Sequence, residues 1–76
     1  MRVHVLHFGP LRDARGLSEE QVDVPEGTTA AGLLDLLHPR RGALPVVFAV
    51  DHHRAPGETI LTDGAFVALL PPVGGG

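Results

Sequence analysis

Seventy-six residues carrying a formal net charge of −3 and no cysteine make one small domain, because a chain this short buries only about 60% of the surface its unfolded form exposes. The absence of Cys excludes disulfides, thiolate nucleophiles and Cys-ligated zinc. With no Trp or Tyr and no basic cluster, nothing in the chain is suited to stacking on bases or gripping phosphates, so nucleic acid is not expected as a partner.

The apolar start, Val3, Val5 and Leu6, is short and interrupted by His4 and His7. It does not read as a signal peptide, and no apolar run approaches membrane-spanning length. A cytoplasmic protein with no membrane partner is expected. All six basic residues are arginines, Arg2, Arg12, Arg15, Arg40, Arg41 and Arg54. The amine of Met1 is therefore the only amine on the molecule, and the chain cannot modify itself through a lysine.

Taken in order, Arg2 to Phe8 reads as a strand with Val3, Val5 and His7 on one face and His4, Leu6 and Phe8 on the other. Gly9-Pro10 ends it, and a short polar loop closed by Gly16 leads to a second strand, Glu19 to Val24. These two segments suggest an antiparallel pair. Pro25-Glu26-Gly27 is a turn, after which Thr28 or Thr29 caps a helix whose Ala30, Leu33, Leu34 and Leu37 fall at i, i+3, i+4 and i+7. Pro39 stops that helix after about three turns by disfavouring the helical conformation at His38.

Val46 to Val50 is a near-continuous apolar run suited to an interior strand. His52-His53 follows in a turn, and Thr59-Ile60-Leu61, between the turn signals Pro56-Gly57 and Thr62-Asp63-Gly64, reads as a short edge element or 3₁₀ stretch. The last strand is Ala65 to Leu70, with Val67 and Leu69 facing one way and Phe66, Ala68 and Leu70 the other. The order strand, strand, helix, strand, short element, strand is that of an α+β β-grasp fold. It has a mixed sheet of four or five strands with one main helix packed on one face, and the first and last strands lie parallel and adjacent.

One helix covers only one face of a sheet. The outward residues Leu6, Phe8, Phe66, Ala68 and Leu70 are thus left with nothing of this chain to pack on, and exposed apolar patches of this kind mark partner surfaces. Beyond them residues 1–72 form the domain and residues 73–76 a glycine tail. Pro71 and Pro72 stiffen the exit from the last strand, while Val73, Gly74, Gly75 and Gly76 add a thin tip able to extend roughly 13 Å. Taken alone, that tail reads equally well as a frayed terminus.

The histidines do not form a metal site in this reading. His4 and His7 point to opposite faces of their strand, and adjacent His52 and His53 diverge. Arg12, Asp13 and Arg15 read as a solvated loop.

The ending Pro71-Pro72-Val73-Gly74-Gly75-Gly76 resembles the Pro-Pro-Val-x-Gly-Gly terminus of the molybdopterin synthase small-subunit (MoaD) branch of the MoaD/ThiS ubiquitin-like sulfur-carrier family. Phe8-Gly9-Pro10-Leu11-Arg12-Asp13, Val24-Pro25-Glu26-Gly27-Thr28-Thr29 and Leu61-Thr62-Asp63-Gly64 are similar to segments of that family as well. The resemblance runs the length of the chain, with His7 standing where the family usually has an apolar residue.

The resemblance implies a carrier that binds no cofactor itself. An E1-like (MoeB-like) activating enzyme would use ATP to adenylate the Gly76 carboxylate, with Gly75 beside it, and a sulfur donor protein would displace AMP to leave a thiocarboxylate. A large subunit (MoaE-like), in a heterotetramer, would bind Leu6, Phe8, Phe66, Ala68, Leu70, Pro71, Pro72, Val73 and Gly74 and pass the sulfur to cyclic pyranopterin monophosphate. The small subunit would contribute no acid, base or metal. Three further readings stay open: a carrier for thiamin, cysteine or tRNA thiolation, a ubiquitin-like modifier, and a β-grasp interaction module with an idle tail.

Overall fold

The computed structural model describes residues 1–72. The expectations placed on Val73, Gly74, Gly75 and Gly76 lie outside the described residues. Five strands form one sheet: β1 (Arg2–His7), β2 (Glu19–Asp23), β3 (Val47–Val50), β4 (His53–Ala55) and β5 (Phe66–Leu70), in the order β2-β1-β5-β3-β4. β1 and β5 run parallel at the centre, and every other pair is antiparallel. Helix α1 (Gly9–Arg15) follows β1, and helix α2 (Ala30–Leu37) lies between β2 and β3. The architecture is a β-grasp.

The strict alternation of β1 and β5 sets the layers, since successive side chains in a strand point to opposite faces. Val3, Val5, Val67 and Leu69 are fully buried on the inner face, where they join Ala30, Leu33 and Leu34 of α2 in the core. Thr29 is the residue that caps α2, its hydroxyl accepting the Gly32 N–H at 3.0 Å. Thr28 instead donates its hydroxyl to Pro25 O. Gly57 lets the loop after β4 press on α2, where an added Cβ would stand 3.1 Å from the Ala31 Cβ and 3.3 Å from Phe48.

Four expectations need correction. The segment after β1 is a helix and not a loop: Pro10 presets φ in its first turn, Leu11 is buried in the core, and Gly16 closes the last turn in the left-handed region. Seven residues with one apolar anchor are too few to show a helical stripe. Second, α2 has eight residues, nearer two turns than three. Third, the short strand is β4, whereas Thr59–Leu61 contributes a single bridge, Thr29 to Ile60. Fourth, His53 opens β4 and only His52 belongs to the turn.

The β3–β4 hairpin closes through a turn that lacks the usual sequence signal. Asp51 (φ 50°) and His52 (φ 71°) both adopt the left-handed region, as a two-residue hairpin of the primed type demands. Such turns normally announce themselves with Asn-Gly or Asp-Gly. Asp51 is held there by an exchange with β5: its N–H donates to Phe66 O, and its Oδ1 accepts from Phe66 N.

Candidate partner face and tail root

The outer face of the sheet is built from rows of cross-strand neighbours. One row runs Glu19, Leu6, Ala68, Ala49, Arg54 across all five strands, and the next pairs Val47 with Leu70 beside Phe8. Leu6, Phe8, Phe66, Ala68 and Leu70 converge here with Ala49 and His52 around one shallow cavity of about 220 Å³. Phe8 is 40% and Phe66 44% exposed. The patch the alternation pointed to therefore exists as one surface.

Phe66 is less bare than expected. It lies between two imidazoles, stacked on His4 at 4.3 Å between ring centroids and facing His52 at 6.4 Å. His4 and His7 do point to opposite faces, His7 being buried and His4 half-buried on the outer side. Among the described residues, no group of three or more His, Asp or Glu side chains is placed to hold a metal ion.

At the end of β5 the chain exits beside β1. An added Cβ on Gly9 would sit 3.3 Å from Cγ of Pro71, and Gly9 has φ +58°. The left-handed conformation favours glycine there, a Cβ would also crowd Pro71, and the root of the tail is seated against the start of α1. A second groove, about 410 Å³, opens at this root and is lined by Phe8, Val47, Arg54, Leu70, Pro71 and Pro72. Pro71 and Pro72 are exposed, continuing the apolar face toward the tail. Arg54 stands at the edge of this face, where the family resemblance implies a partner contact that is usually apolar, whereas Ala49, Val47 and His52 carry no sequence signal of belonging to it. Sheet order alone brings β3 beside β5 and β4 beside β3.

On the opposite face a polar cluster fastens the helices to the sheet. His7 Nε2 lies 2.8 Å from Glu20 Oε2, and His7 Nδ1 lies 3.0 Å from His38 Nε2. Arg15 grips Glu20 with two bonds of 2.6 and 2.9 Å, so Arg15, though exposed, is an ion-paired residue of α1 and not part of a loop. The Arg15 guanidinium holds the Glu20 carboxyl below its ordinary range, and His7 adds to the effect. An ionised carboxylate only accepts, so His7 donates through Nε2–H and receives the His38 Nε2–H at Nδ1. Burial, reinforced by His7, pushes the pKa of His38 down. One polar chain thus links α1, β2, β1 and the end of α2 in the position where an apolar residue was expected at His7.

The described geometry is an apolar outer face that runs into the seated root of the tail. The ThiS family model matches residues 5–76. The chain belongs to the ThiS family. A curated relative, the molybdopterin synthase sulfur carrier subunit of Mycobacterium tuberculosis (strain H37Rv), is 38% identical over 82 residues and is matched across 100% of this chain and 99% of its own length. Among solved structures, the complex of subunits 1 and 2 of molybdopterin-converting factor from Helicobacter pylori aligns with 26% identity and a TM-score of 0.66, covering 100% of both chains. SAMP1 from Haloferax volcanii shares the fold, with a TM-score of 0.77 at 24% identity and full coverage of both chains. No helix among the described residues of this ThiS-family chain is long and apolar enough to cross a membrane.

Proposed function

We propose that this chain is the sulfur carrier subunit of a molybdopterin synthase, acting through the carboxylate of Gly76. The observation that carries the reading is the full-length relationship to a molybdopterin synthase sulfur carrier subunit at 38% identity, within a family match that extends through residue 76. In this reading a free carboxylate, which has no good leaving group, is first activated. Its oxygen attacks ATP at the α-phosphate, pyrophosphate departs, and an acyl adenylate forms on an E1-like enzyme. The outer sulfur of a donor protein's persulfide then attacks the carbonyl and displaces AMP, and a second thiol cleaves the resulting acyl disulfide, forming a disulfide with the donor sulfur and leaving the thiocarboxylate. With no cysteine in the chain, that carbonyl is the group available to hold sulfur.

The outer face receives a large subunit, in keeping with the relationship to a subunit of a two-subunit converting factor. The seating of Pro71 against Gly9 fixes where the tail departs relative to that face. The large subunit supplies the acid–base groups, a precursor of molybdopterin accepts the sulfur, and the assembly is a cytoplasmic heterotetramer. The test is intact-protein mass spectrometry after incubation with an E1-like activating enzyme, ATP and a sulfur donor. The C-terminal peptide should gain sulfur in place of one oxygen, and deletion of Gly76 should abolish molybdopterin synthesis while leaving the thermal midpoint unchanged. Failure to thiolate under conditions that thiolate a known carrier, or activity in the deletion variant, overturns the reading.

A further inference from the structure

The outer sheet face is electrically polar as well as apolar. The row Glu19, Leu6, Ala68, Ala49, Arg54 has a carboxylate at the β2 edge, a guanidinium at the β4 edge and aliphatic side chains between. Both end residues are exposed. Among the described residues, neither forms an ion pair, whereas Arg2, Arg12, Arg15 and Arg41 each do. Arg2 and Asp23, the other charged pair on these strands' outer side, neutralise one another at 3.0 Å.

Four strand spacings of about 4.8 Å put the backbones carrying Glu19 and Arg54 roughly 19 Å apart. That exceeds the Debye length of about 8 Å at physiological salt, so each charge is felt by a different part of a docked partner. Arg54 also lines the groove at the tail root with Phe8, Leu70, Pro71 and Pro72. A guanidinium beside an apolar groove is suited to a carboxylate, which its planar fork holds with two bonds.

We propose that Glu19 and Arg54 set the orientation in which the large subunit docks. The complementary partner surface carries an Asp or Glu against Arg54, a Lys or Arg against Glu19, and apolar side chains between them. An apolar patch alone fixes contact but not direction, and charges at its rim supply direction and encounter rate. The outcome for function is that the tail, rooted on the Arg54 side, enters the partner from one side only. This inference rests on the outer face being the large-subunit surface.

Association with the molybdopterin synthase large subunit from the same organism, followed by stopped-flow fluorescence, tests it. Arg54→Glu and Glu19→Arg should each slow association about tenfold at low salt, the difference fading at high salt. Control reversals away from the face, Glu26→Arg and Arg40→Glu, should not. The double variant Arg54→Glu/Glu19→Arg has the wild-type net charge of −3 but inverted polarity, and it should remain slow. Recovery of the wild-type rate in the double variant, or single variants no slower than the controls, overturns the proposal. Leu70→Glu separates the two layers of inference. If it binds like wild type, the outer face is not the interface; if it fails to bind while the charge reversals are silent, only the orienting role of Glu19 and Arg54 falls.

Discussion

The Nε2 of His38 lies 3.0 Å from the Nδ1 of His7, two imidazoles buried at 5% and 1% exposure in a chain otherwise cored by aliphatic side chains. His7 spends its other nitrogen on Glu20. The tautomers are locked in series, and the charge state of His38 is tied to folding.

Stability should fall on mild acidification because of His38. Burial, then the neighbouring His7 and Arg15, lowers its pKa from the ordinary 6.5, with Glu20 opposing and Arg41 adding a little. The unfolded chain therefore binds the proton first. The contribution is complete above about pH 6.5 and is lost as pH falls from there through the depressed folded value. A second loss follows below about 4.5, where Glu20, held ionised by Arg15, is finally protonated. Urea midpoints at pH 7.5, 5.5 and 4 should decline in that order, and His38→Gln should flatten the first interval. An unchanged first interval in His38→Gln would assign the effect elsewhere.

Removing half of the polar chain should cost more than removing the imidazole pair. Glu20→Ala leaves the buried His7 Nε2–H without its acceptor, a penalty of about 1–3 kcal/mol, whereas replacing both partners of a buried hydrogen bond by apolar groups is close to neutral. His7→Leu/His38→Leu should therefore lose less stability in urea than Glu20→Ala, and the reverse order would show that the cluster is worth more than its satisfied hydrogen bonds.

The β3–β4 turn holds releasable strain. His52 adopts φ 71°, a conformation costing an ordinary residue roughly 1–2 kcal/mol. His52→Gly should raise stability by about 0.5–1 kcal/mol, part of the relief being offset by the greater freedom of glycine in the unfolded chain. A fall in the thermal midpoint would mean that the His52 ring facing Phe66 at 6.4 Å outweighs the backbone strain.

Inward and outward residues of the central strands should separate cleanly. Leu69 is fully buried, and Leu69→Ala should cost about 2–5 kcal/mol. Phe8 is partly exposed on the outer face, so Phe8→Glu should leave the unfolding free energy in urea within about 0.5 kcal/mol of wild type while weakening large-subunit binding in calorimetry. Unfolding of Phe8→Glu, or unchanged binding, would contradict the assignment of faces.

The lysine-free sequence predicts that activation of Gly76 yields no self-linked ladder. No ε-amine on one copy is available to attack the activated carbonyl of another, and the amine of Met1 is tied to Val24 O at 2.9 Å. A ladder of this protein alone on a denaturing gel after incubation with activating enzyme and ATP would disprove this.

Some of this was determined by sequence alone because it follows from local periodicity. The alternation of Val3, Val5 and His7 against Leu6 and Phe8, and of Val67 and Leu69 against Phe66, Ala68 and Leu70, assigns both faces of the central strands before any contact is known. Ala30, Leu33, Leu34 and Leu37 likewise define the covering helix. Tertiary structure alone decided what depends on neighbours distant in the chain. Helix α1 is seven residues held by one buried leucine, and β4 is three residues held by pairing with β3, so neither has a period long enough to read. His7 is stable in the core because Glu20 and His38, 13 and 31 residues away, meet its two nitrogens. Arg54 reaches the outer apolar face because sheet order sets β3 beside β5 and β4 beside β3. A periodic pattern states which way a side chain points, and only the closed chain states what it meets there.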